Sequence, residues 1–226
     1  MTGFIGILML DTAFERVLGD AGNPASYHFP ARTRVVENAD STLIVRNDRP
    51  EPAMVAAFCT AAQKLETEGA IALTSTCGFL VTAQDEIARS VHIPVMLSAL
   101  SLLPLIWTTH GSRPVGVMTA SSKQLGPAVL DAAGIQPEQA VIAGLQDEKA
   151  FASCFLMQKS QQLTTIDQPA IQAAVVAKAI ALCQTNPGIS AILLECGNLP
   201  PYASAIKAAT GKPVYSILDG ARLLVK

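Results

Sequence analysis

Residues Ile71–Val95 read IALTSTCGFLVTAQDEIARSVHIPV, and residues Ala191–Val214 read AILLECGNLPPYASAIKAATGKPV. Placing Cys77 on Cys196 puts Gly78 on Gly197, Ile87 on Ile206, Pro94 on Pro213 and Val95 on Val214 without a gap. Leu73 then falls on Ile192. Each stretch opens on an apolar run, breaks at Cys-Gly, continues with helical spacing and starts a second apolar run after x-Pro-Val. That is strand, turn, helix, strand. The correspondence extends upstream: FIGILMLDTAF (4–14) matches PVGVMTASSKQ (114–124), with Gly6 on Gly116, and Gly22 and Gly134 close comparable segments. A repeat on this scale marks a duplicated unit.

The rest of the chain keeps the same rhythm. Strand-like runs occur in FIGILML, TRVV extended by STLIV, GAIALTST, IPVMLS, RPVGVMTA, QAVIAGL, ISAILLE and KPVYSIL. Between them lie helical stretches such as PAMVAAFCTAAQKLE, TAQDEIARSV, SALSLLPLIWTT, SSKQLGPAVLDAAG, QPAIQAAVVAKAIALCQ and PPYASAIKAAT. Strands separated by helices give parallel β-α-β units, so the expected class is α/β. The duplication divides it into two pseudo-symmetric parallel-sheet lobes, residues 1–98 and 99–226, with residues 216–226 packing on the first and a cleft between them.

Composition narrows the partners. The formal charge is -2 over 226 residues, which favours neither nucleic acid nor an anionic membrane. The densest basic stretch, Arg32, Arg34, Arg46 and Arg49, is interleaved with Glu37, Asp40 and Asp48, a mixed solvated surface. No run approaches the ~20 apolar residues of a membrane span. MTGFIGILML reads as a first strand, not a leader. The five cysteines are odd in number and not spaced as metal-site pairs. Free thiols in a reducing cytoplasm are the expectation. No P-loop and no G-x-G-x-x-G follows a strand, so no cofactor is expected, and no metal.

In open parallel sheets, ligands collect beyond the carboxyl ends of strands. Cys77 and Cys196 stand there, each ahead of a helix whose N-terminal amides favour thiolate. Cys59, Cys154 and Cys183 lie in helical stretches as packing residues. Two cysteines on opposite walls of one cleft can invert a carbon bearing an acidic hydrogen: a thiolate removes the proton on one face and a thiol returns one on the other. With an unperturbed pKa of ~8.5, both states are accessible near neutrality. Thr76 and Gly78 adjoin Cys77, and Gly197 and Asn198 follow Cys196; Thr76 can donate to a carboxylate, and Asn198 either does so or caps the next helix. Glu195 ends a buried strand, where it tunes the thiol or forms a structural salt bridge.

These paired cysteines, with GILMLDT and VGVMTASS opening the halves, resemble the aspartate/glutamate/hydantoin racemase superfamily along nearly the whole chain. The usual Cys-Asn-Thr and Gly-Cys-Thr are replaced here by STCGFL and LECGNLPP, as in a divergent member. The resemblance implies a cofactor-independent enzyme of two flavodoxin-like lobes, a homodimer, with Cys77 and Cys196 as the acid/base pair. It places Asp11 and Thr12 at the family's early acidic-hydroxyl pair, and Thr119, Ser121 and Ser122 among the carboxylate donors; Asp11 and Ser121 also suit helix capping. The leading expectation is a racemase or epimerase of a small carboxylate such as an amino acid. The alternatives are a decarboxylase or cis-trans isomerase of the same superfamily using one cysteine, and a non-catalytic small-ligand binding protein.

Overall fold

The computed structural model describes residues 3–225; Met1, Thr2 and Lys226, at the outer ends of the two expected lobes, lie outside the described residues. The first sheet holds β1 (Phe4–Met9), β2 (Ala31–Val35), β3 (Ala70–Ser75) and β4 (Val95–Met96), ordered β2-β1-β3-β4. The second holds β5 (Val115–Thr119), β6 (Ala140–Gly144), β7 (Ala191–Leu194) and β8 (Val214–Ser216), ordered β6-β5-β7-β8. All pairings are parallel. The two orders are the same once the chain is halved, so the repeat in the sequence is a repeat in topology. Central strands β1, β3, β5 and β7 are buried almost throughout, as a parallel sheet covered on both faces requires.

The covering helices are α1 (Ser41–Ile44), α2 (Pro52–Thr67), α3 (Gln84–Arg89), α4 (Leu103–Thr109), α5 (Pro127–Ala132), α6 (Lys149–Phe155), α7 (Gln168–Thr185), α8 (Ala203–Thr210) and α9 (Ile217–Leu224). Helix α2 starts on Pro52 and buries Val55, Phe58, Ala62 and Leu65, one stripe at helical spacing. Helix α7 is capped by Asp167, which accepts from the Ala170 amide at 3.0 Å, and buries Ile171, Val175, Ala179 and Leu182. One apolar cluster runs from Phe58 and Leu73 in the first lobe through Val117 and Leu193 in the second, so the lobes share a core.

Three segments differ from the sequence reading. STLIV does not extend β2: Asp40 accepts from the Thr42 amide at 2.8 Å and turns the chain into α1. The segment after β5 runs as an irregular loop to Gly126 before α5 begins at Pro127. Helix α6 lies where the sequence places Cys154 in a helical stretch without giving that stretch bounds. KPVYSIL ends as a strand at Ser216, where a reciprocal cap between Ser216 and Asp219 starts α9. That helix packs on β3 and β4, with Ala221 and Val225 against Ile5 and Ala72.

Candidate active site between the lobes

Strands β3 and β7 end side by side. Thr76, Cys77 and Gly78 follow β3; Glu195, Cys196 and Gly197 follow β7. A Cβ at Gly78 would press on Glu195, reaching its backbone oxygen at 2.7 Å; one at Gly197 would press on the backbone oxygen of Thr76, with the carbonyl carbon at 3.0 Å. Each glycine therefore admits the residue that precedes the other lobe's cysteine. The repeated Cys-Gly is the contact about which the lobes are related.

Both cysteines line one narrow cavity with Thr12, Thr76, Gly78 and Asn198. Leu10, Phe14, Phe79, Phe155 and Leu156 form its apolar walls, and Arg16 and Glu195 bring the charges. The volume open to the centre of a water-sized sphere is about 30 Å³, room for little more than two waters.

The two thiols are unequally placed. Burial first, and then the Glu195 charge, push Cys77 up to about 12; the backbone amides of Phe79 and Leu80 and the Arg16 guanidinium oppose this. Cys196 is raised well above its ordinary value by burial and then Glu195, with one opposing amide, from Asn198, and a further raise from Cys77 itself. The Cys196 thiol donates to Asn198 Oδ1 at 3.5 Å, and Asn198 Nδ2 donates to Asp20 at 2.8 Å, which fixes the amide's orientation. Arg16 donates to Asp20 at 3.1 Å and to Thr12 Oγ1 at 2.9 Å, and lies over the Phe14 ring. Both are thus held as thiols, and Cys77 has the more groups that favour its thiolate, two amides and the Arg16 charge against one amide at Cys196.

Glu195 is buried, and burial raises its carboxyl to about 7 against the donors Thr119 and Ala120. Oε2 accepts from Thr119 Oγ1 at 2.8 Å; Oε1 has no hydrogen-bond partner. Thr119 therefore sits beneath the site as the support of Glu195. Ser121 and Ser122 lie off the cavity, Ser122 on Gln146 at 3.0 Å through its amide. Gly197 serves lobe contact. Asp11 lies outside, paired with Lys159. Arg16, Asp20 and the aromatic pair Phe14 and Phe155 escaped the sequence reading. Arg16 and Asp20 lie in a loop beyond the matched 4–14 stretch, with no helical or strand periodicity, and their one signal was a lone arginine four residues before an aspartate; Phe155 ends α6 in the other lobe.

The α6–α7 connection is strapped to the first lobe beside Phe155 and Leu156 of the cavity wall. Lys159 pairs with Asp11 and its amide donates to Asp40 at 2.7 Å; Ser41 Oγ donates to Met157 O at 3.2 Å; Gln162 Oε1 accepts from the Ala13 amide at 2.8 Å. Burial resists ionisation of Asp40, but amide donation from Lys159 and Thr42 outweighs it and holds the carboxyl below its ordinary range. An exposed ion pair contributes ~0.2–1 kcal/mol. Lys159→Met should therefore speed amide exchange across residues 157–163 by up to about fivefold while Tm stays within a few degrees; exchange indistinguishable from wild type would show that the pair does not hold the strap.

The described residues contain no helix long and apolar enough to cross a membrane and no cluster of ligating side chains that could hold a metal. All five cysteines are free.

No family model matches the chain. It is 30% identical over 229 residues to a dimethylsulfoniopropionate lyase of Durusdinium sp. clade D, covering 98% of this chain and 74% of that protein. It is 29% identical over 223 residues to dimethylsulfoniopropionate lyase 7 of Emiliania huxleyi (strain CCMP1516), covering 95% of this chain and 64% of that one. Among solved structures, a glycine-to-cysteine mutant of arylmalonate decarboxylase with associated sulfate superposes with TM-score 0.62 at 17% identity, over 98% of this chain and 93% of the other. An aspartate racemase homologue from Pyrococcus horikoshii OT3 gives 0.57 at 14% identity, over 96% and 94%. These likenesses establish the two-lobed racemase fold.

The expectation of a racemase or epimerase, and with it the isomerase class, is overturned. The relatives at near-full coverage of this chain are lyases, and the racemase likeness is one of fold. The physical reason is general: a fold places two groups across a cleft without deciding whether one or both must move protons. The chain belongs to the dimethylsulfoniopropionate lyase family, built on the fold of the aspartate/glutamate/hydantoin racemase superfamily.

Proposed function

We propose that this chain is a cofactor-independent lyase of small carboxylates that carry a leaving group on the β-carbon, with β-sulfoniopropionates such as dimethylsulfoniopropionate as substrate. The observation that carries this reading is the likeness over 98% of the chain to a dimethylsulfoniopropionate lyase. The geometry supplies a route. The α-hydrogen of a carboxylate is weakly acidic, and the sulfonium is a leaving group that departs neutral. A single base therefore suffices.

Cys77 is that base. Its thiolate takes the α-proton, the electron pair becomes the Cα=Cβ bond, and the Cβ–S bond breaks with its pair staying on sulfur. The products are dimethyl sulfide and acrylate; the proton remains on Cys77 and passes to water after release. Arg16 has N–H groups beyond those given to Asp20 and Thr12, including a buried, unpartnered Nε; these suit the substrate carboxylate. The Cys196 thiol and the hydroxyls of Thr12 and Thr76 are donors for charge building on that carboxylate in the transition state. The apolar walls exclude water from the carbanion-like state. The five free cysteines support a reducing, cytoplasmic setting.

Incubation with dimethylsulfoniopropionate in deuterium oxide tests the reading. Dimethyl sulfide and acrylate should appear in equal amounts. Exchange of the α-hydrogen, or loss of carbon dioxide, with no sulfide released would overturn it.

A further inference from the structure

Glu195 is a carboxylate in a place where a carboxylate is costly. It is 2% exposed, it lines the cavity, and one of its oxygens has no hydrogen-bond partner. Buried polar atoms are normally paired, and buried charges more strictly so. No lysine, arginine or histidine pairs with it among the described residues. Arg16, the one cation among the described residues that line the cavity, is engaged by Asp20 and Thr12. The carboxyl is nonetheless held in place: Thr119 donates to Oε2, and the missing side chain of Gly78 leaves the room that Oε1 occupies.

We propose that Glu195 Oε1 is the counter-charge for the substrate's cationic group, and that the site selects fully methylated onium carboxylates, sulfonium or quaternary ammonium, over primary amines. This rests on the lyase reading for the identity of the substrate. Selection follows from donor counting. An alkylammonium brings three N–H donors; Oε1 can satisfy one, Leu10, Phe14, Phe79, Phe155 and Leu156 offer no side-chain acceptor, and the Thr12, Ser41 and Thr76 hydroxyls and Asn198 Oδ1 already accept from Arg16, Gln162, the Leu10 amide and Cys196. The remaining donors would displace those bonds or be buried unpaired, and either is unfavourable. A methylated onium has no N–H to satisfy. Its methyl groups suit the aliphatic and aromatic walls, and its charge suits the carboxylate and the ring faces.

The pairing also serves the base. The Glu195 charge raises both thiols. A cation seated on Oε1 offsets that repulsion, so Cys77 becomes easier to ionise when a substrate of the right charge is bound. The groups facing Glu195 are Cys77 from the end of β3, Cys196 beside it on β7, Thr119 from β5, and Arg16 and Asp20 from the loop after β1. Burial and the Glu195 charge push both thiols up, and burial raises Glu195 to about 7, so near pH 7 the change of charge belongs to Glu195.

Three ligands that do not turn over separate charge from shape: 3-(trimethylammonio)propionate, its uncharged-head isostere 4,4-dimethylpentanoate, and 3-aminopropionate. Titration calorimetry with the intact protein should show the quaternary ligand binding at least about tenfold more tightly than the isostere near pH 8. The advantage should shrink as pH falls through about 7 and Glu195 takes up a proton. The primary amine should bind at least about tenfold more weakly than the quaternary ligand. Glu195→Gln should abolish the preference for charge while leaving the affinity for the isostere within about twofold. Equal wild-type affinity for the first two ligands, a preference without pH dependence, or a preference that survives in Glu195→Gln overturns the inference; the wild-type measurements decide it even if the variant misfolds. Release of dimethyl sulfide, assayed in parallel, separates the two claims. Turnover without preference for charge fells this inference alone, and preference without turnover fells the lyase reading alone.

Discussion

Cys77→Ser should lower kcat/KM for the sulfonium substrate by about 10³- to 10⁴-fold, the upper range for removal of a general base, because a serine hydroxyl at that position stays protonated. Cys196→Ser should cost less, about 10²-fold, the scale of one lost or weakened donor to a developing oxyanion. The difference follows from the surroundings of the two sulfurs. Cys77 has two amides favouring its thiolate; Cys196 donates a hydrogen bond to an Asn198 oxygen whose amide Asp20 holds in position. A thiol pushed up to about 12 is almost wholly protonated at neutrality. In wild type, kcat/KM should therefore rise with pH through the neutral and mildly alkaline range, and Cys196→Ser should keep that rise. A larger loss in Cys196→Ser, or a rise that disappears in that variant, would reassign the base.

The second large effect is expected at a residue with no chemistry. In Gly197→Ala the new methyl would press on the backbone oxygen of Thr76, with its carbonyl carbon at 3.0 Å. Backbone cannot swing aside as a flexible side chain can, so the lobes must separate. Overpacking of this kind costs about 1–3 kcal/mol, a fall in Tm of several degrees for a chain of this size. Activity should fall further, by about 10²-fold or more, because Thr76 precedes Cys77 and displacement on the ångström scale is enough to spoil proton transfer. Gly188→Ala is the control: nothing lies within 4 Å of its added methyl, and its stability should stay within about 0.5 kcal/mol of wild type. Calorimetry and the sulfide assay on both variants decide it; a Gly197→Ala protein with unchanged Tm and turnover would show that the lobes do not meet as described.

Much of the architecture could be read from the repeat. Apolar runs such as FIGILM and AIALTS give strands because a doubly covered parallel sheet needs both faces apolar. The stripes of α2 and α7 give helices for the same kind of reason. Reading failed where structure depends on one polar contact. Asp40 made a helix of STLI, and the Ser216–Asp219 cap ended the last strand early; both signals were present, but hydropathy outweighed them.

The site divides in the same way. Cys77 and Cys196 could be singled out because duplication marks them and strand ends gather ligands. Asp11, Ser121 and Ser122 have suitable chemistry and lie outside the cavity wall, since a side chain's direction at a strand end is set by the next hydrogen bond. Arg16, Asp20 and Phe155 come from a loop and from a helix of the opposite lobe, and no local pattern announces a contact made across a cleft.

By itself the sequence determined the α/β class, the duplicated lobes and the pair of cysteines, because these follow from periodicity and repetition, which are properties of the chain. The tertiary structure alone decided that the two sulfurs are unequal, that a buried carboxylate with a free oxygen lies beside them, and that a strap ties the second lobe to the first. Charge, desolvation and access depend on which atoms surround a group, and for this site those atoms come from segments more than a hundred residues apart, such as Asp20 and Asn198.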